Sequence, residues 1–333
     1  MEPEPSVQEL SQLEAIWRDQ SRAAAPPLDL TRPRLAQASR PASSPEVTQA
    51  LGELLGWPQW VVLYPKPALA VVAASRLARA RGLSGGVLWV APGTGRPLDP
   101  PADAPGLAML RCDWTPGPAP VAAAQKQARD RGLLLVVDES RTGLRLATGG
   151  AAQFYGLSPD LALYGPSLAG GRDFAALAGV GQAPPAPPQA PSAEALAAAA
   201  GTLAAAREGD WPNSLEAWGR ALSLGLRYFG ARTGVGDQVA CEGPQALPRL
   251  GGRRLWAFLE LCREEGLTVE PLVLFDPGLD PAEAPARLWP RLCRACARLK
   301  VLPEGEKAPH GWSEAHGPGK CIRIEEILQN LEP

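Results

Sequence analysis

Residues 133–140 read LLLVVDES, five apolar residues running straight into two carboxylates. A run this short, rich in aliphatic and β-branched residues and closed by polar ones, predicts a strand buried on both faces. Similar runs stand before it: WVVLY (60–64), GVLWV (86–90) and LAMLRC (107–112). Between them PALAVVAASRLARARG (67–82) and VAAAQKQARDRG (121–132) carry helical spacing, each ending at a glycine. Short apolar strands alternating with helices predict a mainly parallel sheet covered on both sides, an α/β fold. In such a sheet ligands bind at the carboxyl ends of the strands, where Asp138 stands. Position alone equally fits a carboxylate that caps the next turn.

The rest of the chain divides around this region. Residues 6–24 predict a helix through Leu10, Leu13, Ile16 and Trp17, and the Pro- and Ser-rich stretch 25–45 reads as a linker. Ser44-Pro45-Glu46 reads as a helix start. After the proline-rich loop 181–191 come two helical patterns, 192–208 and 213–231. Beyond Gly234 the texture predicts a smaller α+β unit: a strand near 237–241, a helix at 253–265, a strand at 267–275 and a helix at 281–299. The tail reads as a loop (302–319) and a helix near 323–331. The expected domains are 1–42 (helix and linker), 43–234 (large α/β) and 235–333 (small α+β). A net charge of −2 argues against nucleic acid and anionic membrane as partners, and no apolar run reaches spanning length. The start, MEPEPSVQEL, has no signal-peptide pattern, and six cysteines in 333 residues fit reduced thiols; a cytoplasmic protein is expected.

The segment 133–180 carries more than a strand. Asp138-Glu139 is followed by Thr142-Gly143-Leu144-Arg145 and then by Gly156-Leu157-Ser158-Pro159-Asp160-Leu161. In that order these motifs resemble the core of the class III pyridoxal-phosphate (PLP) aminotransferases, closest to the glutamate-1-semialdehyde aminomutase branch. Residues 43–82, 193–206 and 236–300 resemble the family more weakly, and the first forty do not. The resemblance implies the PLP-transferase fold type I: a mostly parallel sheet flanked by helices, with a smaller C-terminal α+β domain. It implies a dimer, and a cofactor site built around Asp138 as partner of the pyridinium nitrogen, with Glu139, Thr142 and Arg145 beside it.

The same resemblance exposes what is missing. Such chemistry needs a lysine amine, a carboxylate at the ring nitrogen and N–H groups at a helix start for the phosphate. The family's lysine position falls on Pro166, within Leu163-Tyr164-Gly165-Pro166-Ser167, and proline has no amine. The phosphate turn falls on Tyr64-Pro65-Lys66-Pro67-Ala68, where two prolines lack N–H donors. The family's aromatic-His-Gly motif is replaced by Ala91-Pro92-Gly93-Thr94-Gly95, and the partner subunit's threonine position falls near Ala190-Pro191. No lysine lies within a few residues of Pro166; the five are Lys66, Lys126, Lys300, Lys307 and Lys320. Lys66 is an anion candidate, although a solvated lysine in a stiff turn explains it as well.

Cys293, Cys296, His310 and His316, followed by Cys321, approach the spacing of a zinc finger. Cys293 and Cys296 fall inside the amphipathic run LWPRLCRACARL, where small buried residues belong, so no metal is expected. The expectation is therefore a degenerate aminotransferase-fold protein with no cofactor. It acts by binding, as a homodimer or paired with an active aminotransferase-fold paralogue. The alternatives are altered chemistry on a small anionic metabolite in the old cleft, and an active PLP enzyme hidden by misalignment.

Overall fold

The strand expected at 133–140 lies at the middle of a seven-stranded sheet. The computed structural model describes residues 27–31, 41–84, 86–90, 106–112, 118–276, 278–302 and 321–322. In chain order the elements are β1 (Leu28–Asp29), α1 (Ser44–Leu55), β2 (Trp60–Tyr64), α2 (Pro67–Ala80), β3 (Val87–Val90), β4 (Leu107–Leu110) and α3 (Pro118–Asp130). There follow β5 (Leu134–Asp138), α4 (Gly150–Phe154), β6 (Leu161–Tyr164), a 3₁₀ turn (Pro166–Ala169), β7 (Ala175–Gly179), α5 (Ala193–Glu208) and α6 (Trp211–Thr233). The remainder is β8 (Ala240–Glu242), β9 (Arg249–Gly251), α7 (Leu255–Glu264), β10 (Leu267–Thr268), a 3₁₀ turn (Pro281–Glu283), α8 (Ala284–Arg287), α9 (Trp289–Val301) and β11 (Cys321–Ile322). The expected helix at 6–24 and the tail elements at 302–319 and 323–331 fall on residues outside the described ones, save 302.

The sheet order is β11-β3-β4-β5-β6-β7-β2. Strands β3 to β6 are mutually parallel, while β7 runs against both β6 and β2. Both faces are covered, which is why the strands read as nearly unbroken apolar runs. Val61, Leu63, Ala162, Tyr164, Ala176 and Ala178 pack on one side with α1 and α5. Tyr64, Leu161, Leu163, Ala175, Leu177, Leu134 and Val136 pack on the other with α2. The alternation within β2, β6 and β7 is the two-residue period of a strand serving two cores.

Helix α1 begins one residue earlier than the sequence suggested. Ser43, not Ser44, is the cap: its hydroxyl accepts from the Glu46 N–H at 3.4 Å, and the Glu46 carboxylate accepts from the Ser43 N–H at 2.7 Å. A cap at Ser43 places Glu46 at the third helical position, where this reciprocal box closes.

The chain forms two compact units whose limits differ from the expected 43–234 and 235–333. One holds the described residues from 41 to 212 together with β11; the other holds 27–31 and Asn213 through 302. Helix α6 therefore joins the smaller unit. Its Trp218 indole donates to the Leu279 carbonyl (3.2 Å) and stacks at 6.2 Å from Phe275, while the Trp289 indole donates to Ala221 (2.8 Å). Two elements expected there are shorter or broken. The strand at 267–275 shrinks to Leu267–Thr268, because its parallel partner β1 is only two residues long; beyond it Leu272 makes an isolated bridge to Arg249. The helix at 281–299 is a turn and two helices, with Pro290 opening the second.

Candidate functional site

Register assembles the carboxyl edge of the large sheet. Asp138 pairs with Leu163, so the residues after β5 and β6 advance side by side: Glu139 donates to the Leu163 carbonyl at 2.8 Å, and Ser140 meets Gly165. A Cβ on Gly165 would stand 2.7 Å from the Ser140 Cβ, so only glycine permits this approach. Pro166 then opens the 3₁₀ turn, and the Ser167 hydroxyl donates to the Ser140 carbonyl at 2.9 Å. The structure thus places Pro166 in the turn that follows β6, the strand paired with β5 at Asp138, half-buried at the edge where ligands bind in this architecture.

On the other side of β5, Leu110 pairs with Val137, which sets the next residue, Arg111, beside Asp138. Its guanidinium donates to Asp138 Oδ2 from Nε (3.0 Å) and from an Nη (2.8 Å). Asp138 Oδ1 accepts the Ser140 N–H at 3.1 Å. Both carboxylate oxygens are therefore held by protein donors, with the Asp138 side chain 2% exposed and that of Arg111 29%. Sequence reasoning missed Arg111; its signal was its place immediately after the β4 run, level with Asp138 in any in-register parallel pair.

Glu139 and Thr142 are committed to the backbone. The buried Glu139 carboxylate accepts from the Ala151 N–H (2.9 Å), the Ala152 N–H (2.8 Å) and the Thr142 hydroxyl. It thereby closes the start of α4. Gly150, at φ +74°, lies against it: a Cβ there would fall 2.3 Å from a Glu139 oxygen. Burial pushes the Glu139 carboxyl up to about 7 in spite of these three donors, with Asp138 adding repulsion. Arg145 is buried, and Leu144 before it adopts the left-handed region at φ 62°, a strained conformation for a branched residue. Gly143 lets the Tyr164 ring lie against the turn, since a Cβ would meet it at 2.8 Å.

Lys66 is exposed at the start of α2, where its side chain makes no capping hydrogen bond and Pro67 supplies no N–H. Strands β2 and β6 are parallel through β7, so Lys66 shares the carboxyl edge with Asp138. The register sets Asp138 level with Val62, so Lys66 stands three strand spacings, roughly 14 Å, to the side and further along the strand direction as well. Lys126 and Lys300 are exposed on α3 and α9. Cys293 and Cys296 are buried on α9; burial and the neighbouring Cys293 hold the Cys296 thiol up at about 12. Among the described residues no group of His, Cys, Asp and Glu is arranged to hold a metal. His310 and His316 lie outside the described residues, as does the segment 91–95. Among the described residues no helix is long and apolar enough to cross a membrane.

The fold finds counterparts among known proteins. The structure superposes on the PLP internal-aldimine form of the FumI protein of a Sphingopyxis species with a TM-score of 0.60, at 19% identity, covering 87% of this chain and 80% of that one. This is the fold of the class III PLP-dependent aminotransferases. In sequence, 56 residues are 52% identical to glutamate-1-semialdehyde 2,1-aminomutase of Thermus thermophilus, covering 17% of this chain and 13% of the relative. Over 161 residues the chain is 32% identical to aminopentol aminotransferase of Sphingopyxis macrogoltabida, covering 44% of this chain and 38% of the relative. The matched stretches thus span well under half of these curated relatives, and no family model matches the chain.

Proposed function

We propose that the chain is an aminotransferase-fold protein that does not carry out transamination and acts by binding, paired with a second copy or with an active paralogue of the same fold. The observation that carries this reading is Pro166. The resemblance puts the family's lysine position at Pro166, which opens the turn after β6, the strand paired with β5 at Asp138, and a tertiary amide ring can neither condense with an aldehyde nor carry a proton.

The residues at the other positions do not fit PLP either. The turn after β2 offers prolines at 65 and 67 where backbone donors would meet a phosphate, and Asp138 already accepts three hydrogen bonds from protein. Lys66 is the one lysine among the described residues on the same edge, and two intervening strands, roughly 14 Å of lateral spacing alone, separate it from Asp138. Pairing is inferred from relatives of this fold, which are typically dimers.

The test has two arms. Amino-group exchange between amino donors and 2-oxo acids, measured with saturating PLP, is expected to stay at the rate of free PLP. Enzyme-dependent turnover would overturn the reading. Sedimentation of the purified chain, alone and co-expressed with an aminotransferase-fold paralogue, is expected to give a dimer. A chain that stays monomeric in both preparations would remove the pairing half.

A further inference from the structure

We propose that Arg111 is a resident replacement for the cofactor's ring cation: its guanidinium fills the place at Asp138 that a pyridinium N–H would take, and so closes the site from within. The proposal deepens the reading above and rests on it for the meaning of Asp138. A pyridinium presents one charged N–H to a carboxylate. The Arg111 guanidinium presents two, at 3.0 and 2.8 Å, both to Oδ2, while the Ser140 N–H holds Oδ1 at 3.1 Å. Hydrogen bonds between charged partners are stronger than neutral ones.

The pair is also placed where it cannot be casual. Asp138 is 2% exposed, and a buried carboxylate with no cation is costly, so a chain that gives up its cofactor must supply another positive group or lose the acid. The sheet register supplies it without a loop excursion. Leu110 pairs with Val137, and the next residue on each strand is Arg111 and Asp138. At 29% exposed, Arg111 is the solvent-reaching member of the pair. A ring approaching Asp138 would have to displace both fork bonds.

The experiment is a double-variant cycle on the full chain: Arg111→Met, Asp138→Asn and the two together. Thermal midpoints are read with and without pyridoxine, which has the ring but neither aldehyde nor phosphate and so needs no lysine. Arg111→Met strands a buried charge and is expected to lower the midpoint most, and the double variant to recover more than half of that fall. Recovery of folding in the double variant, where a single variant fails to fold, is the same result. Falls that simply add would overturn the proposal.

Wild type is expected to show no midpoint shift with pyridoxine. A shift that Asp138→Asn abolishes would also overturn it, and this arm needs no destabilised variant. Such a result would leave the missing amine at Pro166 untouched. Conversely, transamination by the wild type would sink the functional reading while leaving the coupling measured between Arg111 and Asp138 intact.

Discussion

Glu139 sets a pH dependence that can be worked from its surroundings. The carboxylate is fully enclosed and accepts from Ala151, Ala152 and Thr142, and burial outweighs all three to move it from the ordinary 4.5 to about 7. A carboxyl whose folded value lies above its unfolded value binds a proton more readily when folded. Its contribution is therefore complete below the unfolded value and is lost as pH rises through the folded one. The window runs from 4.5 to about 7. At about 1.4 kcal/mol per unit, wild type loses about 3 kcal/mol across it from this group alone. The assay is urea unfolding of wild type and Glu139→Gln at half-unit steps from pH 4.5 to 8, read as the difference between the two curves. Glutamine keeps the shape but does not titrate, so the wild type is expected to lose about 3 kcal/mol more than the variant over that range. Curves that stay parallel would refute the reasoning, because they would mean that the three donors hold the carboxyl at its ordinary value.

Two further substitutions follow from the packing. Gly165→Ala drives a Cβ to 2.7 Å from the Ser140 Cβ, between two adjoining strand ends; it is expected to cost about 1–3 kcal/mol in urea unfolding. Tyr164→Phe removes a buried hydroxyl that has no hydrogen-bond partner among the described residues. It is expected to leave stability unchanged or to raise it by up to about 1 kcal/mol, and a clear loss in the same unfolding assay would show that the hydroxyl is bonded.

The α/β architecture was legible because β2 to β5 are written in Val, Leu and Trp with helical spacing between them. Strand β7 was not. Its AALAG carries residues of low strand propensity, and it forms a strand because β6 and β2 leave it no other set of partners. Gly179 in it is required by contact: a Cβ would come within 2.5 Å of the Trp60 ring. The limits of the small unit differ from the sequence reading for a similar reason. The helical pattern of α6 announces a helix but not which core it joins, and that is settled by Trp218 and Trp289 finding carbonyl partners at Leu279 and Ala221. At the site, Asp138 and Pro166 stand out in the sequence because a family pattern marks their positions. Arg111 lies outside any motif, and only the register of two neighbouring strands reveals it. Glu139 and Thr142 read as cofactor neighbours in the motif; in the fold Glu139 is bonded to the start of α4, and the Thr142 hydroxyl donates to Glu139.

The absence of an amine beside Asp138 is tested most directly by mixing the purified chain with PLP, recording the aldimine absorbance, reducing with borohydride and locating any adduct by mass spectrometry. No aldimine band, and only scattered traces on exposed lysines such as Lys126 and Lys300, is the result expected from Pro166 and the Arg111–Asp138 pair. A stoichiometric adduct on one lysine, whether Lys66 or another, would contradict it and would identify a lysine that binds the cofactor.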